Sequence, residues 1–284
     1  MLSDFQKEIV GLERETRMAL AALKARLPVM FEGDAGTGKT ELAKVLGRTL
    51  YQEVFRVDGD PELTALKLQG WFDPPLVLQM GYQWETFIPG PLTSAMLQGG
   101  IFFFNEVNRA PSESLNAVLS ALDERILNIP RLAAVKAKEP FVSIFTLNPY
   151  DRIGTNPLPK AFYDRCVWIY MDHQPLEKAI EIVRRRTGEE DAELMESICR
   201  IVEMTRNHPL IERGASVRAA IHIIRMIRSL REGEKPLIPE EIETLCVMAL
   251  SKNIKPTYDT ARSPEELVRE IVEEVMSKKK PFTP

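Results

Sequence analysis

Several things are scarce in this chain of 284 residues, and each shortage removes a class of function. The three cysteines, Cys166, Cys199 and Cys246, are scattered without metal-ligand spacing, so no disulfide framework is expected and all three read as buried thiols. His173, His208 and His222 are equally dispersed, which argues against a zinc site. Apolar runs such as 100–104 and 167–170 are far too short to cross a bilayer, and the opening MLSDFQKE lacks the apolar region of a signal peptide. A cytoplasmic protein with no membrane span is the expectation. Basic charge is not in excess either: 37 Lys and Arg against 41 Asp and Glu leave a formal net charge of -4. That balance argues against a general nucleic-acid binder, because neutralising phosphates favours a basic surface. With 44% hydrophobic and 27% charged residues, the composition is that of a soluble globular chain, long enough for one large domain or two modest ones.

What the chain does contain is the octet Gly33-Asp34-Ala35-Gly36-Thr37-Gly38-Lys39-Thr40, which fits G-x-x-x-x-G-K-[ST] at every fixed position. Its glycines let the loop curl so that successive N–H groups face inward, making a nest for a triphosphate at the start of a helix. Lys39 adds a point charge for the β and γ phosphates, and the Thr40 hydroxyl is placed to ligate Mg²⁺. ATP and Mg²⁺ are the expected cofactors.

Strand-like runs alternate with helical ones around this loop: strands at 29–32, 54–57, 101–104, 142–147 and 167–171, helices at 39–51 and 112–124, and a turn followed by a helix within 5–26. Such alternation calls for an α/β fold, a three-layer αβα arrangement on a parallel sheet. After residue 172 the strands stop, and 175–186, 192–204, 216–231, 239–252 and 264–278 all read as helices. The expected division is therefore a nucleotide-binding domain at 1–172 and an all-helical one at 173–284. Residues 58–96 are poorly periodic and rich in Gly and Pro, which reads as a functional insertion. Within it Tyr82, Trp84 and Phe87 suit either a substrate-facing surface or a packed edge hairpin.

Hydrolysis needs more than a cradle: a group near the metal, a residue to activate water, and positive charge for the transition state. The apolar strand Ile101-Phe102-Phe103-Phe104 ends in Asn105-Glu106, and polar groups at the carboxyl end of such a strand stand beside the phosphate loop. Glu106 is thereby placed to activate water and Asn105 to hold a Mg²⁺-bound water. A second strand ends in Asn148-Pro149, leaving an amide at its tip for the γ phosphate or the attacking water.

The order of phosphate loop, Phe87-Ile88-Pro89-Gly90-Pro91-Leu92, Phe102-Phe103-Phe104-Asn105-Glu106-Val107-Asn108-Arg109-Ala110-Pro111, Asn148-Pro149, Asp164-Arg165 and Gly214-Ala215-Ser216-Val217-Arg218 resembles the MoxR family of AAA+ ATPases, over roughly residues 9–226. The resemblance implies a Walker A motif at 33–40, with the following Glu41 in its helix, and a Walker B motif at Asn105-Glu106 with Glu106 as catalytic base. It implies sensor 1 at Asn148, an arginine finger for the neighbouring subunit at Arg165, and sensor 2 at Arg218 on a helical lid. Val10 and Gly11 fall in the segment that packs near adenine, 58–96 would hold the helix-2 insert, and 126–139 the pre-sensor hairpin. Arg109 suits an inter-subunit contact as well as a site role. The family's usual Walker B acid is Asp, and Asn105 departs from it: an amide oxygen still accepts hydrogen bonds but brings no charge. The implied function is an ATP-hydrolysing, chaperone-like ring, of six copies by family likeness, that remodels or matures protein clients, in places with a von Willebrand factor A domain partner. An ATP-binding scaffold with negligible turnover, motivated by Asn105, and a helicase-related nucleic-acid motor are the other readings.

Overall fold

The computed structural model describes residues 9–50, 52–149, 156–231 and 238–277. The chain divides into two compact units, Met1–Asp172 and His173–Pro284. The first is built on α1 (Glu13–Lys24), β1 (Val29–Glu32), α2 (Lys39–Thr49), β2 (Val54–Asp58), α3 (Ala65–Gln69), β3 (Gly70–Phe72), α4 (Pro74–Met80), β4 (Phe87–Pro89), α5 (Pro91–Gln98), β5 (Ile101–Asn105), α6 (Ser112–Asp123), β6 (Ile126–Leu127), β7 (Val135–Lys136), β8 (Val142–Leu147), α7 (Lys160–Arg165) and β9 (Val167–Tyr170).

Five of these strands form one sheet in the order β2-β5-β8-β1-β9, and every pairing within it is parallel. The run 101–104 shows why both faces are covered. Side chains alternate across a strand, so Ile101 and Phe103 enter one apolar cluster with Leu23 of α1 and Leu42 and Leu46 of α2. Phe102 and Phe104 enter the other, with Leu92 and Met96 of α5 and Leu115 and Val118 of α6. A sheet buried on both sides reads as an unbroken apolar run rather than an alternation. The result is the expected three-layer αβα fold.

Two local readings differ from the sequence expectation. Residues 58–96 are ordered rather than irregular: α3, α4 and α5 flank an antiparallel hairpin of β3 and β4. The helices there run five to eight residues, too short for a 3.6-residue period to show. They are legible instead by their ends, with Asp73 capping α4 through Leu76 N and Pro at the start of α4 and α5. Phe87 is buried and its ring meets Phe72 and Trp84 edge-on, so this part of the insert packs as a hairpin. The expected hairpin at 126–139 is present as β6 paired antiparallel with β7.

The second unit is helical, with α8 (Leu176–Thr187), α9 (Ala192–Asn207), α10 (Val217–Arg231), α11 (Pro239–Leu250) and α12 (Pro264–Ser277) around a core that includes Ile198, Ile223, Cys246 and Ile271. It also contains a small antiparallel pair, β10 (Ile211–Arg213) and β11 (Lys255–Pro256), that periodicity missed because three and two residues carry no alternation.

All three cysteines are buried and free. Burial pushes each thiol up to about 12, so the thiolate is scarce at neutral pH. Maleimide labelling of the native protein at pH 7.5 is therefore expected to follow unfolding, rising with denaturant through the transition. Rapid labelling of the folded chain would contradict this packing.

Candidate nucleotide site

The octet forms the turn between β1 and α2, at the carboxyl end of a central strand where the sheet order places β1 between β8 and β9. Gly33 N–H donates to Leu147 O at 3.2 Å, tying the loop's start to the end of β8. A Cβ on Gly33 would fall 2.1 Å from Met171 O, so no other residue fits there. Inside the loop, Thr37 Oγ1 donates to Asp34 O at 2.9 Å, and Asp34 Oδ1 accepts from Ala35 N at 2.6 Å. Gly36 and Gly38 take positive φ. Lys39, 8% exposed, reaches back across the loop: its Nζ donates to Gly33 O and Asp34 O, each at 2.7 Å. Gly38, the N-cap of this eleven-residue helix, has no side chain to cap the first-turn N–H groups. Backbone donors, a helix N-terminus and a buried ammonium fit a polyphosphate.

Leu12 Cδ1 lies 3.0 Å from where a Cβ on Gly38 would stand. The bend at Val10 and Gly11 thus leads directly onto the phosphate loop, with Val10 buried and Gly11 at a φ of 76°. Glu41 lies in the first turn of α2, where a carboxylate complements the helix dipole.

A chain of hydrogen bonds runs from α2 across the ends of β8, β5 and β2. Thr40 Oγ1 donates to Asn105 Oδ1 at 3.2 Å, and Thr146 Oγ1 donates to the same oxygen at 2.9 Å. The Thr146 hydroxyl in turn accepts from Glu106 N at 2.8 Å. On its other side Asn105 Nδ2 donates to Asp58 Oδ1 at 2.8 Å. Asp58 is paired directly opposite Asn105 in the β2–β5 register, and Arg56 grips its carboxylate with Nη2 at 2.6 Å and Nε at 3.1 Å. Partial burial pulls the Asp58 carboxyl up, but the hydrogen bonds from Arg56 and Asn105 outweigh it and hold the carboxyl below its ordinary value. The Thr40 hydroxyl and the Asn105 amide oxygen are hard oxygen donors of the kind Mg²⁺ takes, alongside phosphate and water.

Glu106 follows β5 in the left-handed region, at φ 53° and ψ 49°. Its carboxylate meets Arg109 Nε at 3.0 Å, which places Arg109 beside Glu106 within the chain. Gly59 makes room for the turn: its N–H donates to Asn105 O at 2.7 Å, and a Cβ on it would stand 2.0 Å from Glu106 O. Asn148 is buried just beyond β8, and its carbonyl accepts from Asn108 Nδ2 at 3.2 Å, linking that tip to the 3₁₀ turn Val107–Arg109. Arg165, at the end of α7, is bound by both oxygens of Asp123 at the end of α6, Nη2 to Oδ2 at 2.5 Å. Arg218 is exposed in the first turn of α10, in the second unit.

Sequence reasoning missed Asp58 and Thr146. Each is a polar residue in the last two positions of a sheet strand, the one signal available, but naming them requires the strand order. Among the described residues no group of three or more His, Cys, Asp or Glu stands ready to hold a metal, and no helix is long and apolar enough to cross a membrane.

The sheet order and the phosphate loop have a counterpart among known proteins, since residues 28–166 match the AAA domain of the dynein-related subfamily. That segment is an AAA domain. The chain is 26% identical over 269 residues to the gas vesicle ATPase GvpN of Haloferax mediterranei, covering 89% of this chain and 76% of that one. It is 30% identical over 210 residues to GvpN1 of Halobacterium salinarum, covering 68% of this chain and 60% of that one. The uncharacterised YeaC of Bacillus subtilis is 24% identical over 298 residues, spanning 95% and 90%. Among solved structures, one from Cytophaga hutchinsonii is similar with a TM-score of 0.54 at 22% identity, covering 99% of this chain and 94% of its own. A Thermotoga maritima RuvB variant is similar with a TM-score of 0.57 at 17% identity, covering 84% and 70%. These two likenesses establish the AAA+ fold of this chain and nothing further about its activity.

Proposed function

We propose that the chain is a MoxR-type AAA+ ATPase that hydrolyses ATP and uses the cycle to remodel or mature protein clients. The observation that supports this reading is the run of hydrogen bonds from Thr40 through Asn105 and Thr146 to the backbone of Glu106, beside a loop that Lys39 spans.

In this reading the N–H groups of 33–40 and Lys39 hold the triphosphate, and Val10 and Gly11 border the base. Thr40 and Asn105 would hold Mg²⁺, which when bound would supply positive charge beside the triphosphate. Glu106 accepts the proton of the attacking water, and Asn148 orients that water or the γ phosphate. Charge developing on the transferring group is met by Arg165 from a neighbouring subunit, so turnover requires a ring of copies, proposed as six. Arg218 reports the nucleotide state to the helical segment 173–284, acting as the lid. The GvpN relatives are named gas vesicle ATPases, and gas vesicle proteins are proposed as one client class for trial. A von Willebrand factor A domain protein is the proposed partner, and the cytoplasm the proposed location.

Phosphate release by the purified chain is the direct test. Mg²⁺-dependent release is expected to rise more steeply than linearly with protein concentration, and Lys39→Ala to abolish it together with ATP binding. ATP binding without release at any concentration would favour a nucleotide-dependent scaffold instead.

A further inference from the structure

At the Walker B position the chain has Asn105 where the family pattern it resembles has Asp, and the structure shows what stands beside that residue. Asp58 ends the neighbouring strand, in register with Asn105, and receives the Asn105 amide at 2.8 Å. A carboxylate only accepts, so the NH₂ of Asn105 must face β2. From the opposite side the Thr146 hydroxyl accepts from Glu106 N and donates to Asn105 Oδ1. The two constraints agree, and together they aim Oδ1 at Thr40. An asparagine needs this orienting because only one end of its amide can face a cation. An aspartate would not need it.

We propose that Asp58 is a positioning residue for the metal side of the site: it fixes the Asn105 amide with its oxygen toward Thr40 and supplies, one strand away, the negative charge that Asn105 lacks. Asp58 and Asn105 then form one functional pair, in which the acid has moved from β5 to β2. An aspartate at 105 would have no amide to donate to Asp58 and would set two acceptors face to face across the β2–β5 register. This inference rests on the reading of Thr40 and Asn105 as the Mg²⁺ side of an ATP site, and Asp58 touches neither nucleotide nor water in it.

The test uses the full chain and reads binding rather than turnover: the affinity for a fluorescent ATP analogue with saturating EDTA, and the Mg²⁺ concentration that half-maximally enhances it. Asp58→Ala and Asp58→Asn are expected to raise that Mg²⁺ concentration about 10-fold or more, in the range known for residues that orient metal ligands, with EDTA-state affinity unchanged. Asn105→Asp alone is expected to gain nothing in Mg²⁺ response. The exchanged pair, Asp58→Asn with Asn105→Asp, is expected to return to within about threefold of the parent, a rescue that a merely structural role for Asp58 does not produce. Asp58 is exposed at a sheet edge, and thermal unfolding of each variant checks that the fold is retained. An unchanged Mg²⁺ response in both Asp58 variants, with ATP still bound, would overturn the pair while leaving the ATP reading intact. A parent chain whose nucleotide binding ignores Mg²⁺ would overturn the reading and the pair together.

Discussion

Glu106→Gln is expected to lower ATP turnover by about 10²–10⁴-fold while ATP affinity stays within a few-fold, because the change removes basicity and little else. The backbone of Glu106 is held by Thr146 Oγ1 and by its place at the end of β5, neither of which depends on the carboxylate. Glutamine keeps the side-chain length and an oxygen that accepts from Arg109, the contact the carboxylate makes at 3.0 Å. The proton acceptor alone is lost. Single-turnover phosphate release measured beside equilibrium ATP binding separates the two steps, and release at the parent rate would place the base elsewhere.

Arg165→Ala is expected to cost about 10³-fold in turnover, in the range of arginine fingers. The structure adds a condition to that expectation. Within one chain the Arg165 guanidinium is bound by both oxygens of Asp123 and also donates to Ala161 O at 2.8 Å, so its direction is set by α6 and α7 together. Bidentate pairing fixes a guanidinium's plane as well as its position. Asp123→Asn keeps the Arg165 charge and loosens that plane, and a smaller loss, under about tenfold, follows. With the acceptor site proposed to belong to another copy, mixing Arg165→Ala chains with Lys39→Ala chains is expected to restore part of the activity at hybrid interfaces. Well-formed mixed rings with no restored turnover would show that Arg165 does not act in trans.

The three-layer fold was open to sequence reading because its signals are long or strict. Four consecutive apolar residues at 101–104, three of them Phe and bounded by Gly100 and Asn105, suit a strand covered on both faces, and the loop at 33–40 has fixed glycines whose reasons are local. Where elements shrink, the signal goes: α3, α4, β10 and β11 are too short for any period. The site was half legible for a related reason. Lys39, Thr40 and Glu106 stand in motifs of adjacent residues, whereas Asp58 and Thr146 reach Asn105 only across strand pairings 47 and 41 residues apart in the chain. Asn105 itself read as a loss of charge, because the acid that accompanies it is displaced to another strand. Asn148 was legible as the amide at the tip of a strand, whereas roles for Arg165 and Arg218 came from resemblance alone.

Gly59 lies outside every motif, yet its missing side chain is what lets β2 close against the turn that carries Glu106. An edge strand has a partner on one side only and is the member of a sheet most free to drift. Here its last residues are fastened to β5 twice, by the Gly59 amide on Asn105 O and by Asp58 on the Asn105 side chain. These two ties join the start of the insert just beyond Gly59 to the turn that carries Glu106, so in the proposed cycle a pull on the insert is expected to be felt at that turn.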